Sequence, residues 1–369
     1  MPVSQRPPRA VARVRAGAIQ ANCRTLNERV GGEVTLCAVV KADGYGHGAG
    51  SAARAALAGG AEWLAVATAA EAAELRAQGI VVPVLVMGAL SHDEADLAMD
   101  NDADVVVWTQ GFLEAIAPRR PRVHVKLDTG MGRLGTADVD EARALVRAVD
   151  LDQDASLAGV MSHFATADEP GDDHFPRQLE RFRAFADQVR ADHPGAIAHA
   201  ANSAATLRDR ASHFDMVRCG IAIYGMDPFQ QDAAEQGLEP ALELHSYVAA
   251  VKRFEPGDSA GYGRRWAAEG PTWVATLPIG YGDGWRRALT NDCDVLIGGR
   301  RYPLVGTVSM DNITVDLGPD TGVEVGEPAV LIGAQGGEAI AAEEVARRLG
   351  TINYEVTCGI SARVPRVEV

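Results

Sequence analysis

Polar side chains interrupt the apolar runs of the first 220 or so residues at several points. They are Lys41, Lys126, Asp128, Arg133, His163, Asn202, Ser203 and Arg218. Lys41 follows Val39 and Val40, and burial beside such neighbours would lower the pKa of its amine and make it a nucleophile or a base. A guanidinium such as that of Arg218 can only donate hydrogen bonds. This set could carry out covalent or proton-transfer chemistry, although Lys41 alone could be a surface lysine and His163 alone a core histidine.

Eight short apolar runs alternate with amphipathic stretches between about residues 35 and 225. The runs are Thr35–Val40, Trp63–Ala67, Val82–Met87, Ala103–Trp108, Arg122–Leu127, Leu157–Ser162, Ala196–Ala200 and Met216–Ile221. Runs that are apolar nearly throughout are typical of strands buried on both faces of a parallel sheet. The stretch from Ala142 to Val149 has apolar residues at the i, i+3, i+4, i+7 spacing of a helix. Eight strand–helix units predict an α/β fold with a closed (β/α)8 barrel, and an open doubly wound sheet is the alternative.

The polar residues lie at or near the carboxyl ends of the predicted strands. In (β/α)8 barrels the active site is built at this end of the strands. Side chains contributed by five different strands are hard to explain as scattered polar groups of a core. The sequence therefore predicts a single site at the carboxyl-terminal mouth of the barrel.

The pattern changes after about residue 240. Predicted strands there are Leu242–Phe254, Thr272–Pro278, Val295–Val305, Asn312–Leu317 and Ala329–Ile332. Gly298-Gly299 is typical of a hairpin turn, and Gly350 would end a helix over about Ala342–Leu349. We therefore predict a barrel over residues 1–240 and a mostly antiparallel β domain over residues 241–369, with Arg9–Val14 as a possible strand of the second domain.

Composition excludes several classes of protein. The chain has 369 residues, 47% apolar, with 35 basic and 50 acidic side chains and a formal charge of −15. This charge disfavours binding to nucleic acid or to an anionic membrane, and the apolar fraction excludes a disordered chain. Five cysteines without a CxxC pair indicate neither a disulfide framework nor a zinc ribbon, and no metal site is expected. The N-terminal residues lack the apolar core of a signal peptide, so we expect a cytoplasmic protein.

Ordered motifs along the chain resemble those of bacterial alanine racemases, which use pyridoxal 5′-phosphate (PLP). The two most specific motifs are KADGYGHG at residues 41–48 and HVKLDTGMGRLG at residues 124–135. Others follow in the family's order at residues 163–168, 201–203, 217–221, 261–263, 279–284 and 309–311. The resemblance covers nearly the whole chain, and it implies a PLP-binding barrel followed by a C-terminal β domain.

The resemblance implies a two-base racemisation of L- and D-alanine, supplying D-alanine for peptidoglycan precursors. Lys41 would bind PLP and handle the α-proton of the D-isomer, and Tyr262, assisted by His163 and Arg218, would handle that of the L-isomer. Because it can only donate, Arg218 would face an unprotonated ring nitrogen of PLP. The implied cofactor-binding residues are Lys41, Tyr45, His163, Asn202, Ser203, Arg218, Gly220, Ile221 and Tyr354. The implied substrate-binding residues are Arg133, Tyr281, Met310 and Asp311.

The family also implies a homodimer with shared active sites, in which Tyr262, Tyr281, Met310 and Asp311 act in the partner's site. The lysine that corresponds to Lys126 is carbamylated in some relatives. Ala362 stands where some relatives have a pocket-narrowing tyrosine, so a broader-specificity or serine racemase of the same fold is the alternative function. A PLP-binding protein without turnover is disfavoured by the second domain, and an amino-acid decarboxylase is disfavoured by Arg218.

Overall fold

The structure is a computed structural model that describes residues 8–151 and 155–369, except for the side chains of residues 150 and 151. Its described part divides into two units, one of residues 17–240 and one of residues 8–16 and 241–369. The first seven residues of the predicted barrel domain lie outside the described residues.

The first unit contains one sheet of eight parallel strands. In chain order the strands are Thr35–Val39, Trp63–Val66, Val84–Val86, Asp104–Val107, Arg122–Lys126, Ser156–Met161, Ile197–His199 and Met216–Cys219. The first strand pairs with the second and with the eighth, and the other neighbours follow in sequence order. Between the seventh and eighth strands, the backbone N–H of Asp215 donates to Ala198 O at 3.1 Å and that of Arg218 to Ala201 O at 2.9 Å. These two hydrogen bonds nearly close the barrel, and the predicted (β/α)8 fold is confirmed.

One helix precedes the first strand of this sheet, and the others each follow a strand along the chain. They are Ala16–Val30, Ala49–Ala58, Ala69–Ala77, His92–Asp100, Gln110–Ile116, Val139–Leu151, His174–Asp192 and Ser203–Arg208. Short 3₁₀ helices lie at Ala117–Arg119, Arg210–Ser212, Ile221–Tyr224 and Ala233–Gln236. Thr68 and Ser91 each form a reciprocal capping box, with Glu71 and Glu94, and these boxes explain where two of the helices begin.

The second unit is built on a mostly antiparallel sheet. Its strands, in spatial order, are Ala250–Phe254, Thr272–Leu277, Ile313–Gly318, Arg300–Val305, Asp294–Ile297, Pro328–Gln335, Leu242–Tyr247, Val11–Val14 and Arg366–Glu368. Glu338–Ile340 pairs with Pro328–Gln335, and Ser259–Ala260 pairs with Trp266–Ala267. The helices are Ala342–Leu349 and Asn353–Cys358, with 3₁₀ turns at Tyr262–Arg264, Tyr281–Asp283 and Arg287–Leu289.

Several details of this sheet follow from local sequence. Gly298 and Gly299 have φ of +57° and +76°, as a tight hairpin requires, and Gly350 ends its helix with φ of +65°. The stretch predicted as one strand over Leu242–Phe254 is two strands, which separate at residues 248–249 and pair with different neighbours. Val11–Val14 pairs antiparallel with Leu242–Tyr247, so this N-terminal segment belongs to the second sheet.

Gly159, in the sixth barrel strand, has no room for a side chain. A Cβ at this position would lie 2.3 Å from the backbone oxygen of Ile197 and 2.7 Å from Nδ1 of His124. We expect Gly159→Ala to lower the free energy of unfolding by about 1–3 kcal/mol, because the barrel must shift to accommodate the methyl group. Urea unfolding measures this, with Gly195→Ala as the control because its Cβ would meet open space. Equal stability of the two variants would contradict this account of the barrel interior.

Candidate active site

Lys41 begins a left-handed turn at the carboxyl end of the first barrel strand. The residues after it, Ala42, Asp43, Gly44 and Tyr45, have φ of +53°, +52°, +62° and +53°. L-amino acids adopt this region at a cost, so neighbouring groups must hold the turn in place. Lys41 itself is half-buried.

Two carboxylates hold the turn. Glu71 accepts the backbone N–H of Ala42 at 2.6 Å and that of Ala67 at 2.8 Å, and it thereby ties the turn to the second strand–helix unit. Asp43 accepts the backbone N–H of Ala49, at the start of the next helix, at 2.9 Å. The position of the Lys41 backbone is therefore fixed from both sides.

Lys126 ends the fifth strand, and a glycine-rich turn follows it. The Asp128 carboxylate accepts the backbone N–H groups of Gly130, Met131 and Gly132 at 2.9, 2.8 and 2.8 Å. Asp128 therefore shapes the turn, which leaves the Arg133 side chain exposed. An exposed guanidinium beside the barrel mouth is available for an anionic ligand.

Lys126 is 5% exposed, and its surroundings are mainly cationic. Burial, followed by the positive charges of Arg218 and Arg133, lowers its pKa to about 8. The nearby carboxylate of Asp128 opposes this shift but does not cancel it. A substantial fraction of Lys126 is therefore a neutral amine at slightly alkaline pH.

Arg218 lies in the eighth strand, with 2% exposure, and its guanidinium reaches across the ends of its neighbours. Nη2 donates to the backbone oxygens of Ser162 at 2.8 Å and Ala200 at 3.1 Å, and it lies 3.3 Å from Nδ1 of His163. Nη1 lies 2.6 Å from Nδ1 of His199. Nε is buried and has no hydrogen-bond partner in the described protein, so this donor requires an acceptor from elsewhere.

His163 follows the sixth strand and is half-buried beside Arg218. Burial, and then the charge of Arg218, holds the pKa of its imidazole well below the usual range, so it is neutral near pH 7. Because Arg218 donates toward Nδ1, the proton of the neutral ring is on Nε2.

A small cradle lies where the seventh and eighth strands end. Ser203 Oγ, 3% exposed, accepts the backbone N–H groups of Gly220 at 3.0 Å and Ala222 at 3.3 Å. A Cβ at Gly220 would lie 2.3 Å from the Tyr45 hydroxyl, so only glycine allows this hydroxyl to lie so close to the backbone. Ile221 begins the short 3₁₀ helix that follows Gly220. The hydroxyl groups and backbone N–H groups around this helix start are suited to binding a phosphate.

Asn202 has a structural task in this region. Its side chain accepts the backbone N–H of Ala205 at 3.0 Å, which caps the helix Ser203–Arg208, and Nδ2 donates to Phe164 O at 3.4 Å. A role for Asn202 in binding a cofactor remains a prediction.

In the second unit, one loop gathers three of the predicted residues. Thr307 Oγ1 donates to Tyr262 O at 2.6 Å, and the backbone N–H of Tyr281 donates to Ser309 O at 3.0 Å. Tyr262, Tyr281 and Met310 are 73%, 42% and 51% exposed. Large apolar side chains grouped at the surface are typical of an interaction site.

Asp311 is hydrogen-bonded to two arginines, and Tyr354 lies on a short helix. The Asp311 carboxylate accepts from Arg363 Nη2 at 2.7 Å, and its backbone oxygen accepts from Arg9 at 2.8 Å. The Asp311 carboxylate is therefore already paired with Arg363. A contact with a substrate carboxylate would have to be made by the backbone of this residue and not by its side chain. Tyr354 is half-buried on the helix Asn353–Cys358.

Several residues that support the site were not predicted from the sequence. They are Glu71, Asp104, His124, His199, Tyr224 and Thr307. Tyr224 donates to Val39 O at 3.0 Å, and its ring contacts that of Tyr45 at a centroid distance of 5.1 Å. Histidines inside apolar runs, as at His124 and His199, were the available signal, because a buried imidazole needs a polar partner.

Comparison with known proteins identifies two family models on the chain. The model "Alanine racemase, N-terminal domain" matches residues 14–228, and "Alanine racemase, C-terminal domain" matches residues 241–368. Alanine racemase of Symbiobacterium thermophilum is 43% identical over 96% of this chain and 96% of its own length. Alanine racemase of Geobacillus stearothermophilus is 41% identical over 96% of this chain and 92% of its own.

Solved structures agree with these matches. An alanine racemase from D-cycloserine-producing Streptomyces lavendulae has a TM-score of 0.92 and 36% identity, over 98% of this chain and 97% of its own. The Bacillus anthracis alanine racemase, solved with bound L-Ala-P, has a TM-score of 0.90 and 36% identity over 98% of this chain and 95% of its own. Separately, no helix in the described part of the chain is long and apolar enough to cross a membrane.

Lys126 provides a test of the site's electrostatics. The pKa of Lys126 is about 8 in the folded chain, compared with 10.5 for an ordinary lysine. Below pH 8 the ammonium is charged in both states, so its burial lowers the free energy of unfolding by the full amount. Between pH 8 and 10.5 the folded chain loses the proton while the unfolded chain keeps it, so the free energy of unfolding rises with pH. We expect Lys126→Met to raise the free energy of unfolding at about pH 7 and to raise it less at about pH 9.5. Urea unfolding of the protein without cofactor, in CO2-free buffer, measures both values.

The exposed Lys252 is the control, because Lys252→Met removes the same charge without relieving burial. A gain that is the same at both pH values, or is shared by Lys252→Met, would contradict the lowered pKa.

Proposed function

The chain belongs to the alanine racemase family, so its reaction is an isomerisation of alanine, and we propose that it proceeds with PLP through two bases, Lys41 and Tyr262. The observation that carries the cofactor part of this proposal is the buried Nε of Arg218, which has no partner in the described protein. A donor in that position is suited to the unprotonated nitrogen of a pyridine ring.

The rest of the site fits PLP as well. Ser203, Tyr45 and the backbone at Gly220 and Ile221 would hold its phosphate, and the missing side chain of Gly220 lets the Tyr45 hydroxyl lie close to the backbone there. Lys41 would bind the cofactor through its amine. Lysine is also scarce, because Lys41, Lys126 and Lys252 are the only three in 369 residues, and two of them lie at the barrel mouth.

PLP, when bound, supplies the electron sink that stabilises the negative charge left on the α-carbon when a proton is removed. Lys41 would take the α-proton of D-alanine with its neutral amine, and Tyr262 would return a proton from its phenol to the opposite face, which gives L-alanine. In the reverse direction the phenolate accepts and the ammonium donates, so one turnover leaves each group ready for the other direction.

Tyr262 needs help to act as a base, because a phenol ordinarily has a pKa near 10. Neutral His163 carries its proton on Nε2 and could donate it to the phenolate oxygen. Arg218, 3.3 Å from the other ring nitrogen, would add favourable charge behind it. Both effects stabilise the phenolate and lower the pH at which Tyr262 can accept a proton.

We propose a homodimer in which the second unit of one copy supplies Tyr262, Tyr281 and Met310 to the site of the other. The exposure of these side chains in a single copy supports this arrangement. In a two-fold dimer each copy gives and receives the same set, so two equivalent sites result.

We also propose that Lys126 is carbamylated. Its neutral amine would add to CO2 and release one proton, so that a carboxylate replaces the ammonium. The new anion would lie among Arg218, Arg133 and Lys41, whose charges now disfavour the ammonium. It would orient Arg133 toward the substrate.

We propose that the enzyme supplies D-alanine for peptidoglycan precursors in the cytoplasm. All five cysteines are free, and four are buried, as suits a reducing compartment.

Lys41→Ala should abolish racemisation and the visible absorbance of bound PLP, because the amine both holds the cofactor and moves a proton. Lys252→Ala, at an exposed strand position, should leave both unchanged. The assay follows optical rotation and α-deuteration of single-enantiomer alanine and serine in D2O, with CO2 measured in parallel. Alanine should react far faster than serine and no CO2 should form. A Lys41→Ala variant that retains turnover and absorbance would overturn the assignment.

Tyr262→Phe should slow proton abstraction from L-alanine by at least about 100-fold while leaving PLP affinity nearly unchanged, because only the acid/base group is lost. Tyr247→Phe is the matched control in the same unit. The two directions are compared by the primary deuterium isotope effect on each enantiomer. Loss of bound PLP in parallel with activity would count against a role as base.

A further inference from the structure

A chain of hydrogen bonds runs through the barrel interior from Arg218 to the fourth and fifth strands. Arg218 Nη1 lies 2.6 Å from His199 Nδ1, and His199 Nε2 lies 2.8 Å from His124 Nδ1. His124 Nε2 lies 3.2 Å from Asp104 Oδ2. The other oxygen of Asp104 accepts from Arg122 Nε at 2.6 Å.

Every member of this chain except Arg122 is buried. Asp104 and Arg218 are 1% and 2% exposed, and the two histidines are 0% exposed. Buried polar groups are satisfied by protein partners, so each nitrogen must carry or lack its proton according to its neighbour.

The arginine at one end sets the direction of the whole chain. Arg218 can only donate, so His199 Nδ1 must accept and its proton must be on Nε2. His199 then donates to His124 Nδ1, and His124 in turn carries its proton on Nε2 and donates to Asp104. Both imidazoles are thus neutral and hold the same tautomer, and burial together with the charge of Arg218 keeps the pKa of His199 well below its usual value.

We propose that Asp104 and His124 are positioning residues for Arg218: by fixing the tautomer of His199 they hold the guanidinium in place, so that its unpartnered Nε remains available to the cofactor ring. Neither residue touches the reacting atoms. The consequence for catalysis rests on the proposed function, whereas the tautomers themselves do not.

Asp104→Asn tests the proposal because Arg122 dictates how the new amide is oriented. Its oxygen must accept from Arg122 Nε, so its NH2 faces His124 Nε2, which then has to accept. His124 would carry its proton on Nδ1 and donate to His199 Nε2, and His199 Nδ1–H would meet a donor of Arg218. We therefore expect both tautomers to invert and Arg218 to shift.

Asp102→Asn is the matched control. Asp102 pairs with Nη1 of the same Arg122 at 2.6 Å and is 74% exposed, so the variant removes the same charge without touching the histidines. Its tautomers and activity should match those of the unaltered protein.

The primary readout is ¹⁵N NMR of histidine-labelled protein without PLP, which reports the tautomer of each ring. We expect His124 and His199 to carry their protons on Nε2 in the unaltered protein and on Nδ1 in Asp104→Asn. In holoenzyme, we expect kcat/KM for alanine to fall about 10- to 100-fold in Asp104→Asn, as for other supporting residues. A cationic or Nδ1-protonated ring in the unaltered protein, unchanged tautomers in Asp104→Asn, or equal effects of Asp102→Asn would overturn the proposal.

A second pair of variants covers the case in which Asp104→Asn does not fold. His124→Gln can accept from His199 and donate to Asp104, so the His199 tautomer should persist. His124→Phe removes both functions, so the His199 ring should no longer be held in one tautomer. Identical His199 spectra in the two variants would overturn the proposal. The tautomers could behave as expected while neither the unaltered protein nor any variant racemises alanine. In that case the proposed function would be wrong, and the role of Asp104 and His124 in positioning Arg218 would still be supported.

Discussion

The site depends on how the buried charge of Arg218 is satisfied. Its backbone N–H donates to Ala201 across the gap that nearly closes the barrel, and its guanidinium donates to the carbonyl oxygens of Ser162 and Ala200, near the ends of two other strands. An uncompensated buried charge would be strongly destabilising, so these acceptors must be in place when the sheet closes. The contacts that hold the strand ends together are therefore also the contacts that build the site, and Nε is the one nitrogen of this guanidinium left without a partner in the described protein.

Charge is distributed unevenly in this chain. The formal charge of −15 suggests an acidic surface, yet Lys41, Lys126, Arg133 and Arg218 lie within electrostatic range of one another at the barrel mouth. Local positive charge inside an acidic shell is suited to small anions and unsuited to polyanions. The pKa values of Lys126 and His163 are lowered first by burial and then by these charges, so His163 is neutral near pH 7 and Lys126 is partly neutral at slightly alkaline pH.

The sequence was sufficient to predict the barrel, because strands buried on both faces leave uninterrupted apolar runs, and the polar residues at their ends identified the mouth. It was insufficient where a contact joins distant residues. Nothing local shows that Glu71 accepts from Ala42, or that His124 faces His199 across 75 positions. The strand break at residues 248–249 was missed for a similar reason, since apolar periodicity does not reveal a change of pairing partner. The roles of Tyr262 and Met310 came from resemblance alone, because short glycine-flanked segments carry little information.

The left-handed turn after Lys41 has a consequence for how activity is lost. Ala42, Asp43 and Tyr45 each occupy a region that disfavours a side chain by about 1–2 kcal/mol, a sizeable share of the roughly 5–15 kcal/mol that stabilises a typical domain. Besides backbone hydrogen bonds within the turn, the segment depends on the contacts of Glu71 and Asp43, so it is among the first places where the native state can relax. Mild heating or denaturant would then misplace the amine while the rest of the barrel is still folded, and inactivation would precede the loss of secondary structure.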